Sequence, residues 1–207
     1  MEVICHENGP FCVNTYLVIN EKTSSAFIID PGSKDISELI DIIKKNNYNL
    51  EAVVCTHAHI DHVAGVPYLI KKYKIPFYLC KLEEEIIKSL SIQARMFGVP
   101  DPGKLEINEI IPMHGNITFG GIDFTILHTP GHSPGSISLY NGDTVFVGDA
   151  LFNMSIGRTD LPGGNYIDLI TSIRKKLFTL PENTRVLCGH GPETIMGIEK
   201  QMNPFFS

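Results

Sequence analysis

The sequence predicts a layered α/β domain in which helices cover the outer sides of two β-sheets. Short runs of β-branched and aliphatic residues recur along the chain, and patterns with the period of a helix separate them in both halves. The 207 residues are 43% hydrophobic and 19% charged, which supplies a core and excludes a disordered chain. No repeat, low-complexity tract or linker divides the sequence, so we expect residues 1–207 to form a single domain.

The first elements are two strands and a helix. Residues 15–19 and 26–30 are short apolar runs joined by a polar turn, which predicts an antiparallel pair. From Asp35 to about Asn46 the pattern is that of an amphipathic helix, and Asp35 and Glu38 are spaced like a capping box. The apolar residues at helical spacing are Ile36, Leu39, Ile40 and Ile43.

The next elements surround a group of histidines. Residues 52–55 read as a short buried strand that leads into these histidines, and helical spacing follows them. The residues at that spacing are Val63, Val66, Ile70 and Tyr73. A third strand at residues 77–80 leads into a helical stretch over 82–97, which the prolines and glycine of residues 100–103 end. The histidines are therefore expected on a loop between a strand and a helix.

The second half of the chain is rich in strands. Its four predicted strands are residues 116–119, 122–128, 136–140 and 144–149. A final helix places Ile167, Ile170, Ile173 and Leu177 on one face, and a final strand is predicted over residues 184–188.

The overall charge argues against a nucleic-acid partner. The chain has 17 Lys and Arg against 23 Asp and Glu, a net charge of −6 with a pI near 5.7. Proteins that bind duplexes or RNA normally carry a basic surface, because binding is driven largely by release of counterions from phosphates. We therefore expect no nucleic-acid partner, and an RNA-processing activity is disfavoured.

The beginning of the chain and its cysteines favour a cytoplasmic protein. Glu2, His6 and Glu7 lie where a signal peptide would have a basic flank and an apolar run. No apolar stretch approaches the roughly 18 to 20 residues that span a bilayer, so no membrane association is expected. The five cysteines are odd in number and form no CxxC pair, which favours reduced thiols over disulfides or a zinc knuckle.

Four segments place metal-binding side chains at the ends of predicted strands, where a rigid scaffold commonly positions functional groups. They are His57-Ala58-His59-Ile60-Asp61-His62, Gly131-His132, Gly148-Asp149 and Gly189-His190. Five imidazoles and two carboxylates exceed the needs of one tetrahedral site, and thiolates, which mark structural zinc, are missing. We expect two divalent ions, zinc with iron or manganese as alternatives, that share a water molecule and a bridging carboxylate.

These motifs resemble those of the metallo-β-lactamase superfamily. Thr56 to His62 match its T-H-x-H-x-D-H signature, and the later motifs follow in order along nearly the whole chain. The resemblance implies a four-layer αββα sandwich. It also implies a first ion held by His57, His59 and His132, and a second held by Asp61, His62 and His190. Asp149 would bridge the two ions, and Asp61 and Asp149 would be the catalytic carboxylates.

Within this superfamily the chain is similar to the short glyoxalase II-like hydrolases. The similarity lies in residues 155–164 and 191–194 and in the later Glu199 and Asn203. It implies a small-molecule thioester substrate such as S-lactoylglutathione, cleaved by attack of a hydroxide held between the two metals. A thioester agrees with the inventory of residues, because a thiolate leaves with little need of a proton and no general acid is required.

A second interpretation within the superfamily is an oxidoreductase. The mononuclear-iron persulfide dioxygenases share residues 157–160 and use the equivalents of His57, His132 and Asp149 as iron ligands. The Gly-His-Gly-Pro form of residues 189–192 is untypical of those enzymes and favours two metals and hydrolysis. A metal-binding module without catalysis would be indicated by a missing ligand, and none is missing.

Residues outside the metal motifs have less specific interpretations. Arg158 could clamp a substrate carboxylate bidentately, or it could form a structural tie to Asp160. The run of residues 83–85, three glutamates, is expected to be a solvated helix face. Asn14 is expected to be a turn residue.

Overall fold

The computed structural model describes residues 1–206 and contains two six-stranded sheets. The first sheet follows chain order: β1 Glu2–Asn8, β2 Val13–Asn20, β3 Ser25–Ile29, β4 Asn49–Val54, β5 Phe77–Cys80 and β6 Glu109–Ile111. The other strands are β7 His114–Phe119, β8 Ile122–His128, β9 Ile137–Tyr140, β10 Thr144–Gly148, β11 Leu151–Phe152, β12 Ser155–Ile156, β13 Arg185–Cys188 and β14 Thr194–Ile195. The second sheet has the order β14-β13-β10-β9-β8-β7, and β11 and β12 form a separate hairpin.

Seven α-helices accompany the sheets within residues 1–206. They are α1 Ser37–Lys45, α2 Ile60–Val63, α3 Val66–Tyr73, α4 Glu84–Lys88, α5 Leu90–Phe97, α6 Tyr166–Ser172 and α7 Met196–Met202. A short 3-10 turn, Lys81–Glu83, precedes α4, and α6 continues into a π-helical turn, Ile173–Leu177. Within residues 1–206 there is no helix with the length and apolar character needed to cross a membrane.

The layers are an αββα sandwich, as predicted. Side chains alternate along the strands, so that Leu17 and Ile19 of β2 face helices while Tyr16 and Val18 face the second sheet. In β10 of the second sheet, Phe146 packs between the two sheets. Its neighbours Val145 and Val147 pack in the cluster that contains residues of α6. The central strands are therefore buried on both faces, which explains their nearly continuous apolar sequences.

Strand direction brings the ends of distant segments together at one edge of the sandwich. β2 and β3 are antiparallel as predicted, whereas β3, β4 and β5 are parallel, so the carboxyl ends of β3 and β4 are neighbours. In the second sheet β10 is parallel to β13, which sets Gly148 beside Cys188. An isolated bridge between Val13 and His190 joins the two sheets at the same edge.

Several details differ from the sequence-based expectations. Helix α1 has Ile36 at its N-cap without a side-chain cap, and the backbone N–H of Asp35 bonds to Ser33 instead, so the predicted capping box is wrong. The single helix predicted over 82–97 is divided at Ser89, whose hydroxyl donates to the carbonyl of Ile86 and ends α4. Strands β1, β6, β11, β12 and β14 and helix α7 were not predicted.

Candidate metal centre

The segment from His57 to His62 changes from extended to helical backbone in the middle. Strand β4 ends at Val54, and His59, with φ −64° and ψ 148°, is still extended where it caps α2. Asp61 and His62 then lie within the short helix. Because the backbone changes direction here, one short peptide directs side chains into both of the donor groups described next.

Three imidazoles form the first donor group. His59 Nδ1 and His132 Nε2 lie 2.8 Å apart, and His57 Nε2 lies 3.1 Å from the same atom of His132. All three side chains are buried. The structure therefore brings together the three histidines that the resemblance assigned to one ion.

A second donor group lies beside the first and shares no residue with it. Asp61 Oδ2 lies 3.1 Å from His190 Nε2 and 3.8 Å from His62 Nε2. Asp149 lies between the groups: its Oδ1 is 3.3 Å from His62 Nε2, and its Oδ2 is 3.5 Å from both His132 and His190. The carboxylate of Asp149 thus faces both groups.

Two observations test whether these residues suit cations. His62 Nε2 and Asp149 Oδ1 are buried and face each other at 3.3 Å, but neither makes a hydrogen bond, which is costly in a protein interior. In addition, donor atoms of each group lie within 4.8 Å of one another, with nitrogen facing nitrogen in the first group. A cation in each group would satisfy both conditions, so the residues present fit a pair of metal ions.

Charge is distributed unevenly across the centre. Burial and repulsion from neighbouring imidazoles lower the pKa of His57 well below its ordinary value. Burial also opposes the charged form of His62, but the carboxylates of Asp149 and Asp30 outweigh it and raise the pKa of this imidazole. Burial raises the pKa of Asp149, yet the charge of His62 lowers it further, so the net shift is downward. Negative charge is therefore concentrated around His62.

Backbone carbonyls orient two of the imidazoles. His132 Nδ1 lies 2.8 Å from the carbonyl of Arg158, and His190 Nδ1 lies 3.1 Å from that of Phe11. Because a carbonyl can only accept, each Nδ1 carries a proton, and the ring orientation that results turns each Nε2 toward the centre.

Asp30, which the sequence analysis placed only at the end of a predicted strand, lies behind the centre and connects to both donor groups. Its carboxylate accepts from the Thr56 backbone N–H and hydroxyl, both at 2.7 Å, and from His62 Nδ1 at 3.0 Å. Since the Thr56 hydroxyl donates to Asp30, it accepts from His57 Nδ1 at 3.1 Å. Asp30 thereby sets the tautomer of two histidines, one in each of two donor sets.

Glu83 is fully buried, so the interpretation of residues 83–85 as a solvated face is wrong for this residue. Its Oε2 accepts from the N–H of Ala58, and its Oε1 accepts from Ser133 Oγ and the N–H of Gly135, all at 2.6–2.7 Å. Burial raises the pKa of this carboxyl, although these hydrogen bonds oppose the shift. Glu83 ties the loop of His57 and His59 to the loop of His132.

Asn14 is likewise not a turn residue but a buried clamp within β2. Its side-chain amide donates to the carbonyls of Cys188 and Gly191 at 3.0 and 2.7 Å, and its backbone N–H donates to Gly189. Gly189 has to be glycine, because a Cβ there would lie 2.1 Å from Asp149 Oδ1. These contacts hold the loop that carries His190.

Arg158 forms the structural tie that was one of its two expected roles. Its guanidinium pairs bidentately with the exposed Asp160, with both nitrogen–oxygen distances at 2.7 Å. Arg158 lines neither the cavity that adjoins His59 nor the cavity that adjoins Asp61. Its role in binding substrate stays a prediction.

The chain is similar in sequence and structure to proteins of a known family. Residues 8–190 match the metallo-beta-lactamase superfamily. The hydroxyacylglutathione hydrolase GloC of Haemophilus influenzae is 36% identical over 201 residues, which is 95% of this chain and 94% of the relative.

Two solved structures are similar over nearly their entire length. The crystal structure of BLEG-1 B3 metallo-beta-lactamase is 37% identical with a TM-score of 0.92 and covers 100% of both chains. The structure of TTHA1623 in a di-iron-bound form is 37% identical with a TM-score of 0.87, covering 98% of this chain and 100% of that one.

Proposed function

The chain belongs to the metallo-β-lactamase superfamily and is a metal-dependent hydrolase, and we propose that it hydrolyses thioesters at a centre of two divalent ions. The observation that carries this proposal is the pair of donor groups without a common residue, with Asp149 facing both. One mononuclear site would leave three of these donors unused. The di-iron-bound neighbour supports the same number of ions.

The proposed ligands follow from the distances. His57, His59 and His132 would hold the first ion. Asp61, His62 and His190 would hold the second, and Asp149 would contact both. When bound, such ions make water acidic enough to ionise near neutral pH and polarise a carbonyl group. Zinc is our first expectation, and iron and manganese accept the same donors.

The protein's own residues would prepare this centre for the reaction. Asp30, Thr56 and the carbonyls of Phe11 and Arg158 each hold one ring nitrogen of a histidine, so that the other ring nitrogen faces the centre. Burial of His57 and His132 excludes bulk water from one side. The partly exposed side of Asp61 and His190 leaves access for a substrate.

Thioester hydrolysis needs no dedicated general acid, so it suits a centre whose ionisable side chains pair with one another. Water adds to the carbonyl carbon, the carbon–sulfur bond breaks, and the products are a carboxylate, a thiol and one released proton. A thiol has a pKa near 8.5, so the leaving group departs as a thiolate without a dedicated acid. The similarity to GloC supports a hydroxyacyl-glutathione thioester as the first candidate substrate.

A panel of substrates tests this proposal. Protein loaded with zinc, iron or manganese is assayed with S-lactoylglutathione and acetyl thioesters. It is also assayed with a chromogenic β-lactam, because of the similarity to BLEG-1, and with glutathione persulfide in an oxygen electrode. We expect thioester cleavage with about two ions per chain. Oxygen uptake with one iron per chain would instead establish the persulfide dioxygenase, and β-lactam turnover alone would establish a lactamase.

A further inference from the structure

An apolar cavity of about 360 Å³ opens beside His59. Helices α4 and α5 form one wall, and the loop around residues 161–163 forms the other. The apolar side chains that line it include Leu82, Ile86, Ile92, Met96, Phe97 and Leu161. Its volume falls within the range of cavities that bind small molecules.

The polar side chains of this cavity are already engaged with the protein. Gln93 Oε1 accepts from the N–H of Ile60 at 2.9 Å, and Gln93 Nε2 donates to Ser89 Oγ at 3.0 Å. Ser89 in turn donates to the carbonyl of Ile86, and Glu85 pairs with Lys88. A hydroxyl group that entered the cavity would therefore find few partners, whereas an alkyl group would lose nothing.

Exposed apolar side chains at the mouth of the cavity are the second observation. Leu82, Ile92 and Met96 are 47%, 54% and 64% exposed, and they line the same cavity as His59. Contiguous exposed apolar side chains beside a cavity commonly mark a ligand-binding surface. A bound alkyl group would cover them.

A second, larger cavity of about 610 Å³ adjoins the centre at Asp61. Its lining is mostly apolar but includes the polar residues Ser33, Lys34 and Asp101. Phe11 lines this cavity and Phe97 lines the smaller one, and their rings meet edge to face with centroids 5.5 Å apart. The two rings therefore lie between the larger cavity, whose lining includes charged side chains, and the smaller apolar cavity.

We propose that the cavity beside His59 binds the acyl group of the thioester and selects an apolar, unbranched acyl chain. The larger cavity beside Asp61 would then take the bulkier, polar thiol group. This assignment rests on the proposed thioester hydrolysis, and it replaces the hydroxyacyl group suggested by the similarity to GloC with an unsubstituted acyl chain. A lactoyl group would place one methyl group and a hydroxyl group there, so apolar acyl groups of four to six carbons, roughly, would be better substrates.

The test varies the acyl group at constant thiol. Zinc-loaded protein is assayed with acetyl, butyryl, hexanoyl and 2-hydroxybutyryl thioesters of N-acetylcysteamine. We expect kcat/KM to rise about fourfold per added methylene group and the 2-hydroxybutyryl ester to be poorer than the butyryl ester. In the variant Ile92→Gln/Met96→Gln the ratio of hexanoyl to acetyl kcat/KM should fall by about tenfold.

A matched control is available on another part of the surface. Ile110 and Met202 are 53% and 62% exposed, nearly as exposed as Ile92 and Met96, but line neither cavity. The variant Ile110→Gln/Met202→Gln should keep the wild-type chain-length dependence. Equal effects of the two double variants, or no dependence on acyl length, would overturn the assignment. A dependence on alkyl length in the thiol at constant acetyl group would overturn it as well.

Failure of the proposed function is recognised separately. If the metal-loaded protein hydrolyses no thioester in the panel, thioester hydrolysis is refuted. Calorimetric titration with hexanoate and with acetate then tests whether the cavity binds an alkyl chain. If hexanoate binds more tightly than acetate and the Ile92→Gln/Met96→Gln variant loses this difference, the cavity remains assigned as a site for an alkyl chain. Equal binding of the two acids would overturn it.

Discussion

The carboxylate of Glu83 accepts a hydrogen bond from the backbone N–H of Ala58, the residue between two histidines of the first donor group, at 2.7 Å. The other oxygen of the same carboxylate accepts from Ser133, which follows the third histidine of that group. One buried side chain therefore fixes the distance between loops that are more than seventy residues apart in the sequence.

Replacement of Glu83 should loosen the first donor group. In Glu83→Gln the amide nitrogen has to face at least one N–H or O–H donor, which leaves buried donors unpaired. We expect a loss of about 3 kcal/mol in the free energy of unfolding, measured with urea, and metal affinity lower by about 10- to 100-fold. Glu84→Gln, which changes the exposed neighbour, should alter neither quantity. Equal effects of the two substitutions would contradict the role of Glu83.

Removal of a proposed ligand should lower the metal content without unfolding the protein. His132→Ala should reduce the first ion to sub-stoichiometric occupancy and lower turnover by more than about 100-fold, because even outer partners of a ligand contribute that much. Elemental analysis and circular dichroism measure the two effects. His114→Ala, at an exposed strand residue, is the control. Full metal content in the His132 variant would show that this imidazole is not a ligand.

Asp149 should affect both ions at once. Asp149→Asn removes the negative charge that faces both donor groups, so both ions should bind more weakly, in a single titration step or in two shifted steps. Isothermal titration of the metal-free protein measures the stoichiometry. If only one ion is weakened, the carboxylate belongs to a single site and the bridging assignment is wrong.

Asp30 should act through the histidines that it orients. Asp30→Asn turns an amide N–H toward Thr56 or His62, which disturbs the tautomers of His57 and His62 without removing a donor. We expect metal affinity to fall by about 10- to 100-fold while the number of ions at saturation stays at two. Asp41→Asn, at an exposed position of α1, should bind metal like the wild type. Undiminished affinity in Asp30→Asn would mean that the outer hydrogen bonds do not orient these ligands.

The sequence predicted those elements whose own apolar residues show which face is buried. Strands β2 to β5 and the amphipathic α1 follow this rule, because their own side chains determine which face is buried. β1 was not predicted, since exposed residues such as Glu2 and Cys5 lie among half-buried ones without regular alternation, and its structure depends on pairing with β2. The two-residue strands β11 and β14 exist only through their partners.

The donor groups were predictable, whereas their supports were not. The histidines and aspartates lie in short motifs at strand ends, and the structure brings them together as expected. Asp30, Glu83 and Asn14 act through partners between 25 and 177 positions away, so only the register of the sheets reveals their contacts. The position of Asp30 at the end of β3, beside the parallel strand that leads to Thr56, was the one available signal.

Synthesis of the chain delivers these donors in a fixed order. The first donor group is complete once His132 has left the ribosome, whereas the second must wait for His190, which the first-made strands hold through Asn14 and the bridge to Val13. A nascent chain therefore contains all three histidines of the first donor group before the second donor group is complete. The protein acquires its full centre only when its earliest and latest strands have met.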